Sequence, residues 1–231
     1  MKRFFTIILM STFAISVSAQ VMRADTNLEM FTKETFGEKW EDAAKNLGQQ
    51  LSLDENNYLV YGMVIDCGEQ TKDQLYSTLN SWFMSAFNNW SSENDEEEGV
   101  IMGKADFVCI ASHSGGANIY DVFICPLIRV DIRDQQVRVI YIIQHYYVVK
   151  IKGGGIMGGF VSIFPRESGE KWMLNKCFPF QEKDGYKAKK VSSKALVMTH
   201  VYSNLIIHKI EDIVKNGLSE TDDWETTGAD L

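Results

Sequence analysis

The run Val137 to Lys150 (VRVIYIIQHYYVVK) constrains the fold more than any other part of the chain. It is rich in β-branched and aromatic residues, which suit a pleated strand. Val137, Val139, Tyr141, Ile143 and Tyr147 make one alternating set, and Ile140, Ile142, Tyr146 and Val148 the other, so both faces are apolar. Such a strand belongs in the middle of a sheet or under cover on both sides. Left bare, it invites aggregation. The pattern therefore predicts one long central strand and requires neighbours for it.

Those neighbours are legible. Val100 to Ile110 and Ile119 to Ile132 read as two further long strands, joined by a polar loop, Ala111 to Asn118. Asp134-Gln135-Gln136 is a hairpin-length connection into the long strand. Upstream, Asp54-Glu55-Asn56-Asn57 signals a turn, and Tyr58 to Cys67 a strand with a central Gly62, broken by Gly68. Thr71 and Gln74 form a capping box that opens a helix. Leu75, Leu79, Trp82, Phe83, Ala86 and Trp90 recur on one face of it. That spacing is a buried stripe on a sheet rather than an aromatic ligand cage. Phe36 to Leu51 predicts a short amphipathic helix through Trp40, Ala43, Ala44 and Leu47.

Beyond the long strand, Gly153-Gly154-Gly155 and Gly158-Gly159 predict a wide turn, and Phe160 to Phe164 a further strand. Lys171 to Phe180 reads as irregular or extended, interrupted by Pro179, and Gln181 to Lys190 as a polar connection. A long helix runs from Ser192 or Ser193 to about Asn216 and is stopped by Gly217. The order β-α-β-β-β-α predicts an α+β fold, an antiparallel sheet with helices packed on one face.

Residues 1–19 read as a secretory signal: Lys2 and Arg3, an apolar core from Phe4 to Phe13, and Val17-Ser18-Ala19 before a cleavage point. The apolar core is shorter than a bilayer span, so no stable membrane anchor is expected, and no lipoprotein Cys follows. The expected divisions are the signal at 1–19, an N-terminal segment with a short helix at 20–56, a single α+β domain at 57–217, and a disordered acidic tail at 218–231. Cleavage removes two of the 23 bases and none of the 31 acids, moving the net charge from −8 to −10. Ten of those acids lie in two stretches, Glu93 to Glu98 and Glu220 to Asp230, which read as a solvated loop and tail. The first stretch lacks the alternating spacing of a calcium loop. Export and an acidic balance both argue against a nucleic-acid partner.

The strand YLVYGMVIDCG, the helix TKDQLYSTLNSWFMSAF, the strand GVIMGKADF and the hairpin strands VFICPLIRVDIRDQQVRVIYII together resemble an exported family of Gram-negative gut bacteria. Its members carry a domain of unknown function with a fold like the TATA-box-binding protein. The resemblance spans about residues 57–150 and implies that fold. It implies no DNA binding, because function lives in sites and not in folds, and it carries over no functional residues.

Chemistry is sparse. Ser112-His113-Ser114-Gly115-Gly116 is the best nucleophile candidate, but adjacent side chains in an extended segment point apart and no strand–turn–helix elbow surrounds them. His200 and His208 stand two helical turns apart, and His145 lies in the apolar strand, so no zinc site is expected. Asp66, Asp106, Asp121 and Asp131 lie on or near strands, with nothing to single out a catalytic pair. Cys67, Cys109, Cys125 and Cys177 leave buried thiols and disulfides both open. No catalytic, cofactor or metal residues are assigned. The leading expectation is a non-catalytic envelope protein that binds another envelope protein or a small ligand on an open sheet face, through Tyr141 and Tyr147. The alternatives are a hydrolase acting on an envelope or dietary polymer, and a structural subunit assembling through its sheet edge or C-terminal helix.

Overall fold

The computed structural model describes residues 26–87, 90–115, 118–152, 170–177 and 189–218. The expected signal, the expected glycine turn at 153–159, the expected strand at 160–164, Pro179, most of the expected 181–190 connection and residues 219–231 of the expected tail lie outside the described residues.

Helix α1 (Thr26–Phe36) ends at Gly37, whose φ of +98° is a conformation that favours glycine, and α2 (Trp40–Gly48) follows. Trp40, Ala43, Ala44 and Leu47 are all buried, as their spacing predicts. Asp54 Oδ1 accepts hydrogen bonds from the Asn56 and Tyr58 amides and closes the turn into β1 (Leu59–Asp66). Thr71 and Gln74 form the capping box of α3 (Lys72–Ala86), and the Lys72 amide donates to Asp134 Oδ1 at 2.8 Å.

The acidic stretch is not simply a loop. Its first residues pair as β2 (Ser91–Asp95) against β3 (Val100–Lys104). The proposed loop at 111–118 is likewise mostly strand: β4 (Val108–Gly115) pairs directly with β5 (Asn118–Ile124). Then come β6 (Leu127–Arg133), β7 (Gln136–Ile143), β8 (His145–Lys152), β9 (Glu170–Met173), the short α4 (Leu174–Cys177) and α5 (Lys189–Asn216). Gly217, at φ +80°, ends α5 and donates its amide to the Ile213 carbonyl.

The three expected long strands each divide in two. One sheet has the order β1-β7-β6-β3-β2 and the other β4-β5-β8-β9, with all pairings antiparallel. Segments 100–115, 118–133 and 136–152 each contribute one strand to each sheet, so the breaks at 105–107, 125–126 and 144 align as a fold line. Pro126 sits on that line and has no N–H to give a ladder. Its carbonyl instead accepts from the Ala105 amide at 3.0 Å.

The fold line explains the doubly apolar run. In β7 the odd residues Val137, Val139, Tyr141 and Ile143 are buried, and in β8 the even residues Tyr146 and Val148. The phase changes at Gln144, so both alternating sets are apolar although neither strand is covered on both faces by that rule. Ile140 and Ile142 point away from the core and are half-buried.

Helices α3 and α5 pack on the inner face, and α1 and α2 pack onto α5. One continuous core joins Trp40 and Leu47 of α2, Leu75, Leu79 and Phe83 of α3, the inward residues of both sheets, and Leu196, Ile206 and Ile210 of α5. Lys194 binds Glu29 at 2.6 Å and so ties α5 to α1. Lys33 also binds Glu29. Partial burial works to raise that carboxyl, but the two lysines outweigh it and hold it below the ordinary carboxylate range.

Candidate functional site

Alternation along the strands leaves one face of the folded sheet pointing away from the helices. On the five-stranded part, Val60 and Val64 are exposed, while Leu127, Met102, Ile140 and Ile142 are half-buried. Asp131 stands among them, gripped by Arg129 at 2.8 Å and Arg138 at 2.6 Å. Burial works to raise its carboxyl, but the hydrogen bonds from Arg138 and Arg129 dominate and hold it below the ordinary value.

Where this face crosses the fold line, residues from three strands and a connection meet. Phe107 follows β3, His145 and Tyr147 come from β8, and Lys171 from β9; Lys104 ends β3 nearby. The Tyr147 ring meets Phe107 edge-on at 4.8 Å and His145 at 4.4 Å, and Lys171 Nζ lies 5.4 Å from its centroid. His145 Nε2 is buried and has no hydrogen-bond partner among the described residues. Burial, then the charges of Lys171 and Lys104, lower the His145 pKa. This group presents an apolar ring edge, an imidazole and two ammonium groups together.

Tyr141 is not part of it. The residue is fully buried, because the β7 alternation turns odd positions towards α5. Contrary to the sequence expectation, Tyr141 is therefore not a surface contact. Beneath α5, Tyr141, Tyr61 and Tyr202 bury hydroxyls without hydrogen bonds of ordinary geometry among the described residues. Ser203 stands beside Tyr61 and Tyr141 but is not aligned to satisfy either. Burial raises all three phenols well above the ordinary tyrosine value. Tyr141→Phe is therefore expected to leave stability unchanged or raise it by about 1 kcal/mol, since it removes an unsatisfied polar atom. Urea denaturation measures this; a loss of similar size would mean that the hydroxyl is satisfied, as by a buried water.

The other candidates do not converge. Ser112 and His113 lie on β4, where consecutive side chains face opposite sides; Ser112 pairs across to Asp121 and His113 to Tyr120. His200 packs against Phe36 and Tyr61, and His208 pairs with Glu211 at 3.0 Å on the exposed side of α5. Asp66 ends β1, Asp106 lies between β3 and β4, Asp121 is on β5 and Asp131 on β6, and Asp66 Oδ1 accepts the Gly68 amide. Among the described residues, no three His, Cys, Asp or Glu side chains are grouped to hold a metal ion. All four cysteines are thiols; burial pushes the Cys177 thiol up to about 12. A shallow cleft of about 470 Å³ at the start of α3 includes Lys72, Glu98 and Asp134. Asp134 already occupies the Lys72 amide there. No helix among the described residues is long and apolar enough to cross a membrane.

His145 and His200 give a pH dependence. Burial lowers both, with Lys171 and Lys104 adding to the effect at His145. The unfolded chain takes up protons near 6.5, the folded chain only lower. Between those values the unfolded state binds more protons, so their contribution is fully present above 6.5 and is lost as pH falls below it. The melting temperature is expected to drop through that window. The drop should shrink in a His145→Phe, His200→Phe double variant; an identical drop in the variant would assign it to other groups.

No family model matches the chain, and no curated protein matches it in sequence. Among solved structures it is similar to a TBP-like protein from Parabacteroides distasonis, at TM-score 0.47 and 8% identity, over 71% of this chain and 96% of that one. It is also similar to a DUF4468 family protein from Bacteroides ovatus, at TM-score 0.46 and 11% identity, over 70% of this chain and 89% of that one. The α+β class expected from the sequence is the architecture observed, on the strength of its own sheets and helices.

Proposed function

We propose that the protein is an exported, non-catalytic binding module that takes a small ring-bearing anion at the fold line of its outer face. The observation that carries this reading is the buried Nε2 of His145, without a partner among the described residues, beside the Tyr147 ring and Lys171. A buried polar atom without a partner is costly, and a ligand that supplies one relieves that cost. Lys171 and Lys104 favour a negative group near the imidazole, while Tyr147 and Phe107 offer ring contacts. The non-catalytic part rests on the divergence of Ser112 from His113 and on the placement of Asp66, Asp121 and Asp131 on three different strands. The export part rests on Lys2 to Ala19.

The binding test is an NMR titration with benzoate and glucuronate, using benzamide and glucose as neutral counterparts. The anions are expected to shift the His145 and Tyr147 signals, and Lys171→Ala to weaken the stronger binder roughly tenfold. No shift at saturating anion, or equal shifts by the neutral probes, contradicts the reading. The export test is the N-terminus of the protein recovered from cells. A chain beginning at Gln20 is expected; a chain retaining Met1 to Ala19 contradicts it.

A further inference from the structure

We propose that residues 219–231 of this chain fold back over the outer face of the five-stranded sheet, seating Trp224 on Val64 and the neighbouring carboxylates on Arg138 and Arg129. The segment carries five acids, Glu220, Asp222, Asp223, Glu225 and Asp230, with no base and with Trp224 as its one aromatic ring. An indole flanked by carboxylates suits a surface that sets guanidinium groups beside an apolar side chain.

The outer face offers such a surface close to the β6–β7 turn. Val64, Arg138 and Asp131 stand opposite one another across β1, β7 and β6. Val64, at 60%, is the most exposed large apolar side chain on the described strands. Arg138 commits Nε and Nη2 to Asp131 Oδ2, and Arg129 commits Nε to Oδ1. A guanidinium has five N–H donors, so both keep some for another acceptor. Both arginine side chains stay open to solvent, at 57% and 43%. Arg133 lies on the next row towards the turn, so three arginines face Asp131 and Asp66 here. Glu93 and Asp95 belong to β2, at the far edge of the sheet.

Position and reach select this segment as the occupant. Gln70 ties the end of α5 to the turn: its Nε2 donates to the Val214 carbonyl at 2.6 Å, and its own carbonyl accepts from the Gln135 amide at 2.9 Å. Leu218 therefore leaves α5 beside the turn from which β7 starts. Arg138 lies two residues along β7 from Gln136, about 7 Å. The six steps from Leu218 to Trp224 span at most about 21 Å, enough to round the turn and reach that row. Lys104 at the fold line is out of range. It pairs with Leu127, and Leu127 with Ile142, six residues or about 20 Å along β7 from Gln136. Exposed ion pairs are individually weak. A short tether, however, holds its segment at a roughly millimolar effective concentration, so even millimolar affinity fills the seat.

NMR on the full chain tests this. In about 0.01 M salt a nuclear Overhauser effect is expected between the Trp224 ring and the Val64 methyls, equally strong at every protein concentration. It should vanish in about 1 M salt, where the screening length falls from about 30 Å to about 3 Å. Asp222→Asn, Asp223→Asn and Glu225→Gln together should abolish it and shift the Arg138 Nε–H signal. Arg138→Gln should weaken it roughly threefold or more. Lys171→Ala should leave it unchanged, which separates its outcome from that of the fold-line site. Circular dichroism and melting temperature confirm that Arg138→Gln is folded, and the triple variant alters only residues beyond α5. Absence of the effect in low salt, or its survival in the triple variant, overturns the proposal. So does an effect that grows with protein concentration, which would assign the segment to another copy.

Discussion

Alanine in place of Gly103 is expected to destabilise the fold by about 3 kcal/mol, and valine by more, measured by urea denaturation. Gly103 lies on the inner face of β3, paired with Ser92 on one side and Ile128 on the other. A Cβ there would meet the Trp90 ring at 2.6 Å and the Ser91 carbonyl oxygen at 2.7 Å. Neither neighbour yields easily. Ser91 begins β2, so its carbonyl is held by the strand it opens. Trp90 is stacked on Phe83, with centroids 4.7 Å apart and planes 15° from parallel. The glycine is thus the space in which the indole sits. A cost below about 0.5 kcal/mol, the usual range for an exposed site, would mean that the indole is not seated there.

Phe83→Ala is expected to cost about 4 kcal/mol by the same measurement, from lost burial plus the cavity left behind. Phe83 is fully buried on α3 and touches three other rings, Trp82, Phe87 and Trp90. Its removal also gives Trp90 room to move. The double variant with Gly103→Ala should therefore cost less than the sum of the two single variants, because the alanine methyl and the displaced indole share the new cavity. Strict additivity would show that Trp90 does not mediate between the two positions.

These sites show what a single sequence can convey. The α3 stripe was legible because a capping box fixes where the helix starts and the apolar spacing then marks its buried face. Helix α5 and the strand β1 were legible for similar reasons, each ending at a glycine with positive φ. Helix α1 was missed because its inward residues are few and mixed: Leu28 is apolar, but the fully buried Thr32 is polar. β2 was missed because Ser91-Ser92-Glu93-Asn94-Asp95 is polar throughout; its strand character comes from pairing with β3, not from its own composition. The division of each long strand was hidden for a third reason. Two short strands of opposite phase, joined by one residue such as Gln144, look the same in sequence as one strand apolar on both faces. Only Pro126 marked a break. That ambiguity also misplaced Tyr141, since its side depends on which strand it belongs to. Apart from Tyr147, the cluster at the fold line was illegible for want of any local motif. Phe107, His145 and Lys171 are far apart in the chain and meet only because the sheets turn together at that line.

One face of the folded sheet packs under helices while the other meets solvent. Methyl NMR with a soluble paramagnetic agent tests this directly. Broadening is expected for Val60, Val64 and Ile119, which are exposed, and not for Val137, Val139, Ile143 or Val148, which are buried on either side of the phase change at Gln144. Protection of Val60 and Val64 in salt high enough to release residues 219–231, or broadening of the second group, would contradict it.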